Sequence, residues 1–141
     1  MRSTSADVEL ASHLRIAVAR AARRLRQESG TGLSPTMTAA LATIARHGPL
    51  TPSELAARER VQRPTVTRVL TTLDALGLVA RAADPGDRRS SLITVTPAGS
   101  ELLAAARTRK DAFLSERLEQ LGAEDRATLE RAAALLEGML E

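Results

Sequence analysis

The chain has 141 residues, a net charge of +3 and no cysteine, with 43% hydrophobic and 26% charged residues. That composition supports a folded core and excludes disulfides, thiolate metal sites and thiol-based redox sensing. Residues 1–50 hold 7 Arg against 3 acids and residues 51–98 hold 7 against 5, but residues 99–141 hold 6 cations against 9 acids, so the last third is not a surface for a polyanion.

Met1 to Asp7 lacks the apolar core of a signal peptide, and no apolar run approaches the roughly 18 residues needed to cross a bilayer, so a cytoplasmic chain with no membrane partner is expected. From Asp7 to Ser29, Leu10, Leu14, Ala17, Val18, Ala21 and Leu25 recur at three- and four-residue steps, which predicts one apolar face of a helix. Gly30, Thr31 and Gly32 end it. Ser34 and Pro35 then supply an N-cap and an N1 proline for a second helix to about His47. Thr51-Pro52-Ser53-Glu54 opens a short third helix as a capping box and carries it to about Glu59. Gln62 is placed to cap a fourth, with Val61 and Val66 as a hydrophobic staple and Pro64 in the first turn, where its missing N–H costs nothing.

In the fourth helix Val66, Val69, Leu70 and Leu73 form the predicted buried stripe, so Pro64, Thr67, Arg68 and Thr71 face outward. Gly77 is positioned as the left-handed residue that ends this helix, with Leu78 as its apolar partner. Leu78 to Ala82 and Leu92 to Thr96 read as two strands flanking Asp84 to Ser91, whose Pro85-Gly86 pair suits a type II turn. Thr96 and Pro97 open a fifth helix with Leu102, Leu103, Ala106, Phe113, Leu114 and Leu118 at its apolar positions. After Leu121-Gly122, a last helix from about Glu124 to Leu140 is expected to bury Leu129, Ala132, Leu135, Leu136 and Met139.

The fold class that follows is mostly α with a small β-hairpin wing. A short helix, a turn and a second helix with a polar outward face form a helix-turn-helix, whose second helix fits the ~12 Å wide major groove of DNA. On it Arg63 and Arg68 reach phosphate or a guanine edge, whereas Thr65, Thr67 and Thr71 offer hydroxyls to phosphates and methyls to thymine. Pro64 stiffens the helix start. The hairpin would lie beside the duplex, with Arg88 or Arg89 entering a minor groove and Asp87 orienting one of those guanidiniums.

The order and spacing of four segments carry a resemblance over nearly the whole chain. These are Leu50-Thr51-Pro52-Ser53-Glu54-Leu55-Ala56; Thr65-Val66-Thr67-Arg68-Val69-Leu70; Leu76-Gly77-Leu78-Val79; and Asp84-Pro85-Gly86-Asp87-Arg88-Arg89 followed by Leu92-Ile93-Thr94-Val95-Thr96-Pro97-Ala98-Gly99. Together they resemble the MarR family, the multiple-antibiotic-resistance repressors. The resemblance implies a winged helix-turn-helix domain at 34–98, flanked by dimerization helices at 1–33 and 99–141. It also implies a homodimer on a pseudo-palindromic double-stranded DNA operator, with Asp87 and Arg89 matching the family's paired wing residues and Arg89 as first choice for the minor groove. A repressor relieved by a small aromatic or phenolic effector follows by the same resemblance, with His13, Arg15, Met37 and His47 lining its crevice.

Two other readings compete. A winged-helix protein-protein interaction adaptor without sequence-specific DNA binding would leave Arg63, Arg68, Arg88 and Arg89 idle and would need an exposed apolar patch in their place. An enzyme would need a nucleophile and base, and the chain has no Gly-rich phosphate loop, no Gly-x-Ser-x-Gly and no Cys. His13 and His47, scattered and without Cys, make a poor metal-ligand set, so neither metal nor cofactor is expected.

Overall fold

The structure, a computed structural model, describes residues 3–141. Its elements run α1 (Ser5–Glu28), α2 (Pro35–His47), α3 (Pro52–Glu59), α4 (Arg63–Ala75), β1 (Val79–Asp84), β2 (Asp87–Val95), α5 (Pro97–Glu119) and α6 (Ala123–Met139). The two strands form one antiparallel hairpin. Among the described residues no helix is long and apolar enough to cross a membrane. The chain divides into two compact units, one of residues 29–107 and the other of the described residues up to Glu28 together with Thr108–Glu141.

The helix starts are written locally. Ser34 accepts the Met37 N–H at 3.2 Å, and Pro35 occupies N1. The Thr51 hydroxyl accepts the Glu54 N–H at 3.1 Å and donates to the Glu54 carboxylate at 3.2 Å, so the reach back goes to the hydroxyl rather than to the Thr51 amide. Gln62 stands at the cap position of α4 but makes no side-chain cap bond; a neighbouring staple position does the fixing, since Val61 packs against the core and Val66 is buried within it. α1 begins earlier than its apolar periodicity suggests. Thr4 accepts the Asp7 N–H at 3.2 Å while Asp7 accepts the Thr4 N–H at 3.0 Å and the Thr4 hydroxyl at 2.7 Å, a reciprocal cap. The Thr4 hydroxyl first, and its N–H second, hold the Asp7 carboxyl below its usual range.

In the 29–107 unit, Leu41 and Ile44 of α2, Leu55 of α3, Leu70 and Leu73 of α4 and Ile93 of β2 are fully buried, each worth about 1.5–3 kcal/mol of apolar transfer. Val66, Val69, Leu70 and Leu73 are the buried residues of α4, the stripe that the sequence predicts. Leu50 exchanges two backbone hydrogen bonds with Ile93, at 3.1 and 2.7 Å, and so anchors the approach to α3 on the hairpin. Gly77 takes φ +74°, with its N–H on the Asp74 carbonyl and the Leu78 N–H on the Leu73 carbonyl; this is a Schellman end to α4, and Leu78 is buried beside it.

The hairpin departs from the sequence reading. β2 begins at Asp87 rather than Leu92, so the basic residues expected in a loop lie on a strand, paired through Ala83 with Ser91 and Asp84 with Asp87 around a register shift. Gly86 lacks the positive φ of a type II turn; the Asp84 carboxylate accepts its N–H at 2.9 Å and closes the turn instead.

The other unit is built differently. α1 and α6 bury no residue within the single chain. The burial expected of α6 is therefore not met by one copy: Leu129 is exposed, Leu135 is 64% and Met139 70% exposed, and Ala132 and Leu136 are only half-buried. α5 runs through both units: Leu103 and Ala106 are buried in the 29–107 unit, whereas Leu114, in the other, is exposed, as is Leu10 of α1 at 57%. Phe113, the one aromatic side chain in the sequence, lies under the Arg117 guanidinium at 3.5 Å and the Arg24 guanidinium at 4.7 Å, which staples α1 to α5 in this unit.

Candidate nucleic-acid interface

The reading head is α3, its turn and α4. The turn pivots on Arg60, which takes φ +54° and ψ +44° and donates its N–H to the Ala56 and Ala57 carbonyls. Left-handed backbone costs an L-residue roughly 1–2 kcal/mol, and a helix-turn-helix often spends a glycine there. Nothing in the sequence marks Arg60 as left-handed, because no Gly, Asn or Asp signals it. The end of α3 is held from behind by a hydrogen bond from the Thr43 hydroxyl of α2 to the Glu59 carboxylate.

On α4, Pro64, Thr67, Arg68 and Thr71 are exposed, and so is Arg63 at the first position. Thr65 is half-buried on the flank of the helix that meets α2. The threonine hydroxyls turn inward along the helix: Thr67 donates to the Arg63 carbonyl at 3.1 Å, Thr71 to the Thr67 carbonyl at 2.8 Å and Thr72 to the Arg68 carbonyl at 3.1 Å. Hydroxyls bonded in this way have no proton to give a phosphate.

Asp87, Arg88 and Arg89 are all exposed at the start of β2. The Asp87 carboxylate accepts the Arg89 backbone N–H at 2.9 Å, and no ion pair joins it to either neighbouring guanidinium among the described residues. In this structure the Asp87 carboxylate thus holds the backbone at the start of β2 and is not paired with either neighbouring arginine side chain.

Tertiary structure adds a residue that the sequence reading passed over. A cleft between α4 and the hairpin is lined by Arg63, Thr67, Arg81, Arg89 and Ser90, with Pro52 at its margin. Arg81, on β1, also lies 3.9 Å from Asp74 near the end of α4. Three guanidiniums and no carboxylate line this cleft, so its field is positive. In the sequence Arg81 is a lone cation on a short strand, which by itself reads as surface. Arg68 lies on the opposite flank, in a cleft shared with Ser34, Met37, Thr65 and Thr72.

The residues named for an effector crevice fall in different units. His13 and Arg15 are exposed on α1; Met37 is half-buried against the 29–107 core, and His47 is exposed at the end of α2. Among the described residues no group of three or more His, Asp and Glu side chains is placed to hold a metal ion.

Comparison with known proteins places this geometry among relatives. The sequence profile of the MarR family matches residues 33–91. An HTH-type transcriptional regulator of Mycobacterium leprae is 42% identical over 131 residues, covering 92% of each chain. One of Mycobacterium tuberculosis is 40% identical over 136 residues, covering 96% of this chain and 95% of its own. A crystal structure of a candidate transcriptional regulator from Pseudomonas aeruginosa superposes with a TM-score of 0.89 at 33% identity, covering 99% of both chains. A MarR family protein from Bacillus stearothermophilus shares the fold at a TM-score of 0.82 and 23% identity over 99% of both chains.

Proposed function

This chain belongs to the MarR family of helix-turn-helix transcriptional regulators, and from that premise we propose that it acts as a homodimer on a pseudo-palindromic double-stranded DNA operator, represses from it and is released by a small-molecule ligand. The observation that carries the DNA reading is the arrangement of one exposed helix face, Pro64, Thr67, Arg68 and Thr71, beside a cleft lined by Arg63, Arg81 and Arg89. Guanidiniums supply salt-dependent attraction to phosphates, and the α4 face supplies contact with base edges. In this reading Arg63 and Arg68 flank the groove-facing stripe, Thr65 and Pro64 seat the helix start, and Arg88 with Arg89 takes the backbone or minor groove.

The apolar surface left on α1 and α6 supports a second copy as the partner. Leu10, Val18, Leu129, Leu135 and Met139 stay exposed in one chain, although each is an apolar position of its helix stripe. Covering such surface stabilises by about 25 cal/mol per Å², and a two-fold pair covers the same faces on both copies. Release by a small aromatic or phenolic compound rests on family membership alone.

The test is selection of duplexes from a random pool by the purified chain, followed by sequencing. Enrichment of a pseudo-palindrome of roughly 15–20 base pairs, with half-sites one helical turn apart, is the expected result. Salt-sensitive binding with no enriched sequence would overturn the reading.

A further inference from the structure

We infer that the outward face of α4 reads thymine through its 5-methyl group, with Thr71 as the principal reader and Thr67 one turn before it; the inference rests on the DNA reading proposed above. The hydroxyl of Thr71 donates to the Thr67 carbonyl at 2.8 Å, and that of Thr67 donates to the Arg63 carbonyl at 3.1 Å. Each hydroxyl has one proton, and in both side chains it is committed to the helix. Phosphate oxygens and the guanine O6 and N7 only accept, so they find no donor here. With Oγ1 turned back along the helix and its proton spent, the hydroxyl keeps only acceptor lone pairs, and the γ-methyl is the apolar group each side chain has for a partner.

The surroundings point the same way. Pro64, Thr71 and Ala75 are spaced to share one face of α4, and all three are exposed. That stripe is small and largely apolar; by helical spacing Arg68 borders it on one side and Thr67 and Asp74 on the other, with Arg63 beyond them in the cleft it shares with Arg89. In the major groove the apolar group on offer is the thymine C5-methyl, which cytosine lacks. The Arg63 and Arg68 guanidiniums are then free for phosphate or guanine, and the stripe between them selects A·T pairs.

Substituting deoxyuridine for thymidine deletes that methyl and leaves every Watson–Crick and groove hydrogen-bonding group in place. The experiment compares the full-length wild type with T71V, which keeps the methyl and loses the hydroxyl, and T71S, which does the reverse. The probes are the duplex enriched from a random pool by the wild type and the same duplex with deoxyuridine at its half-site thymines. Wild type should bind the uracil duplex about fourfold more weakly per contacted methyl. T71V should bind both duplexes within about twofold of wild type, whereas T71S should bind the thymine duplex as weakly as a wild type deprived of one methyl, with no further loss when the matching thymine becomes uracil. Equal binding of the two duplexes by wild type overturns the inference. So does a T71V variant that loses as much as T71S, since the hydroxyl oxygen would then be the reading group. Either result leaves the DNA reading standing, whereas a wild type that enriches no sequence removes both together.

Discussion

The Thr96 hydroxyl donates to the carbonyl of Gly77 at 2.6 Å across 19 residues of chain, and its oxygen accepts the Gly99 N–H at 3.1 Å. One side chain therefore caps the start of α5 and ties down the left-handed residue that ends α4. The Thr96 N–H adds a bond to the Leu78 carbonyl at 3.0 Å. The wing base, the reading helix and the first turn of α5 thus meet at one point.

Loss of that hydroxyl should be felt as a fold effect. T96V is expected to lower unfolding stability by about 1–2 kcal/mol, for a lost cap and a long-range hydrogen bond, and T96S should recover most of it. G99A should cost as much or more, about 1–3 kcal/mol, because a Cβ there would sit 2.3 Å from the Leu78 carbonyl oxygen and 2.7 Å from Val95 Cγ2. Urea midpoints at unchanged m-value are the measurement; a T96V midpoint equal to wild type would contradict the account.

Arg60 offers a substitution of opposite sign. Its φ of +54° is strained for any residue with a Cβ, so R60G should raise stability by about 1 kcal/mol, less the entropy that glycine adds to the unfolded chain. Thermal unfolding reads this as an upward shift in midpoint. A fall would mean that the Arg60 side chain contributes more than its backbone costs.

The two flanks of α4 should separate in DNA binding. R68A should cost about 1–3 kcal/mol on the enriched site and flatten sequence preference, as expected for a base-reading guanidinium. R89A and R81A, which remove charges from the cleft beside the hairpin, should weaken binding to all sequences alike and reduce the slope of log K against log salt by about 1 each. Titrations at several salt concentrations distinguish the two patterns, and an unchanged slope in R89A would place that strand away from DNA.

At the start of α1 the expected effect is on pH dependence. Asp7 is held below its ordinary range by the Thr4 hydroxyl and amide, so its contribution is present above the unfolded carboxyl's pKa and is lost as pH falls through the lower folded value. Amides of the first turn of α1 should lose protection in acid. Those at the start of α2, capped by the non-titrating Ser34 hydroxyl, should not. D7N should abolish the difference, and equal acid sensitivity in D7N and wild type would count against it.

Legibility in the sequence followed the range of the interactions. The stripe of Val66, Val69, Leu70 and Leu73, the caps at Ser34 and Thr51, and the left-handed stop at Gly77 depend on residues three to five apart, whose geometry a 3.6-residue period determines before any tertiary contact forms. The Thr4–Asp7 cap is equally local, but it lies ahead of the periodic apolar run that marks the helix. What only tertiary structure decided is non-local. Pairing of Ala83 with Ser91 extends β2 back to Asp87, Arg81 joins Arg63 and Arg89 in one cleft, and Thr96 finds Gly77. Strand register and side-chain meeting across 19 residues depend on how the core packs, which no local period encodes. The same division holds on α6: its period marks an apolar face at Leu129, Leu135 and Met139, but whether a face is buried depends on what lies opposite, and among the described residues of one chain this face stays largely exposed.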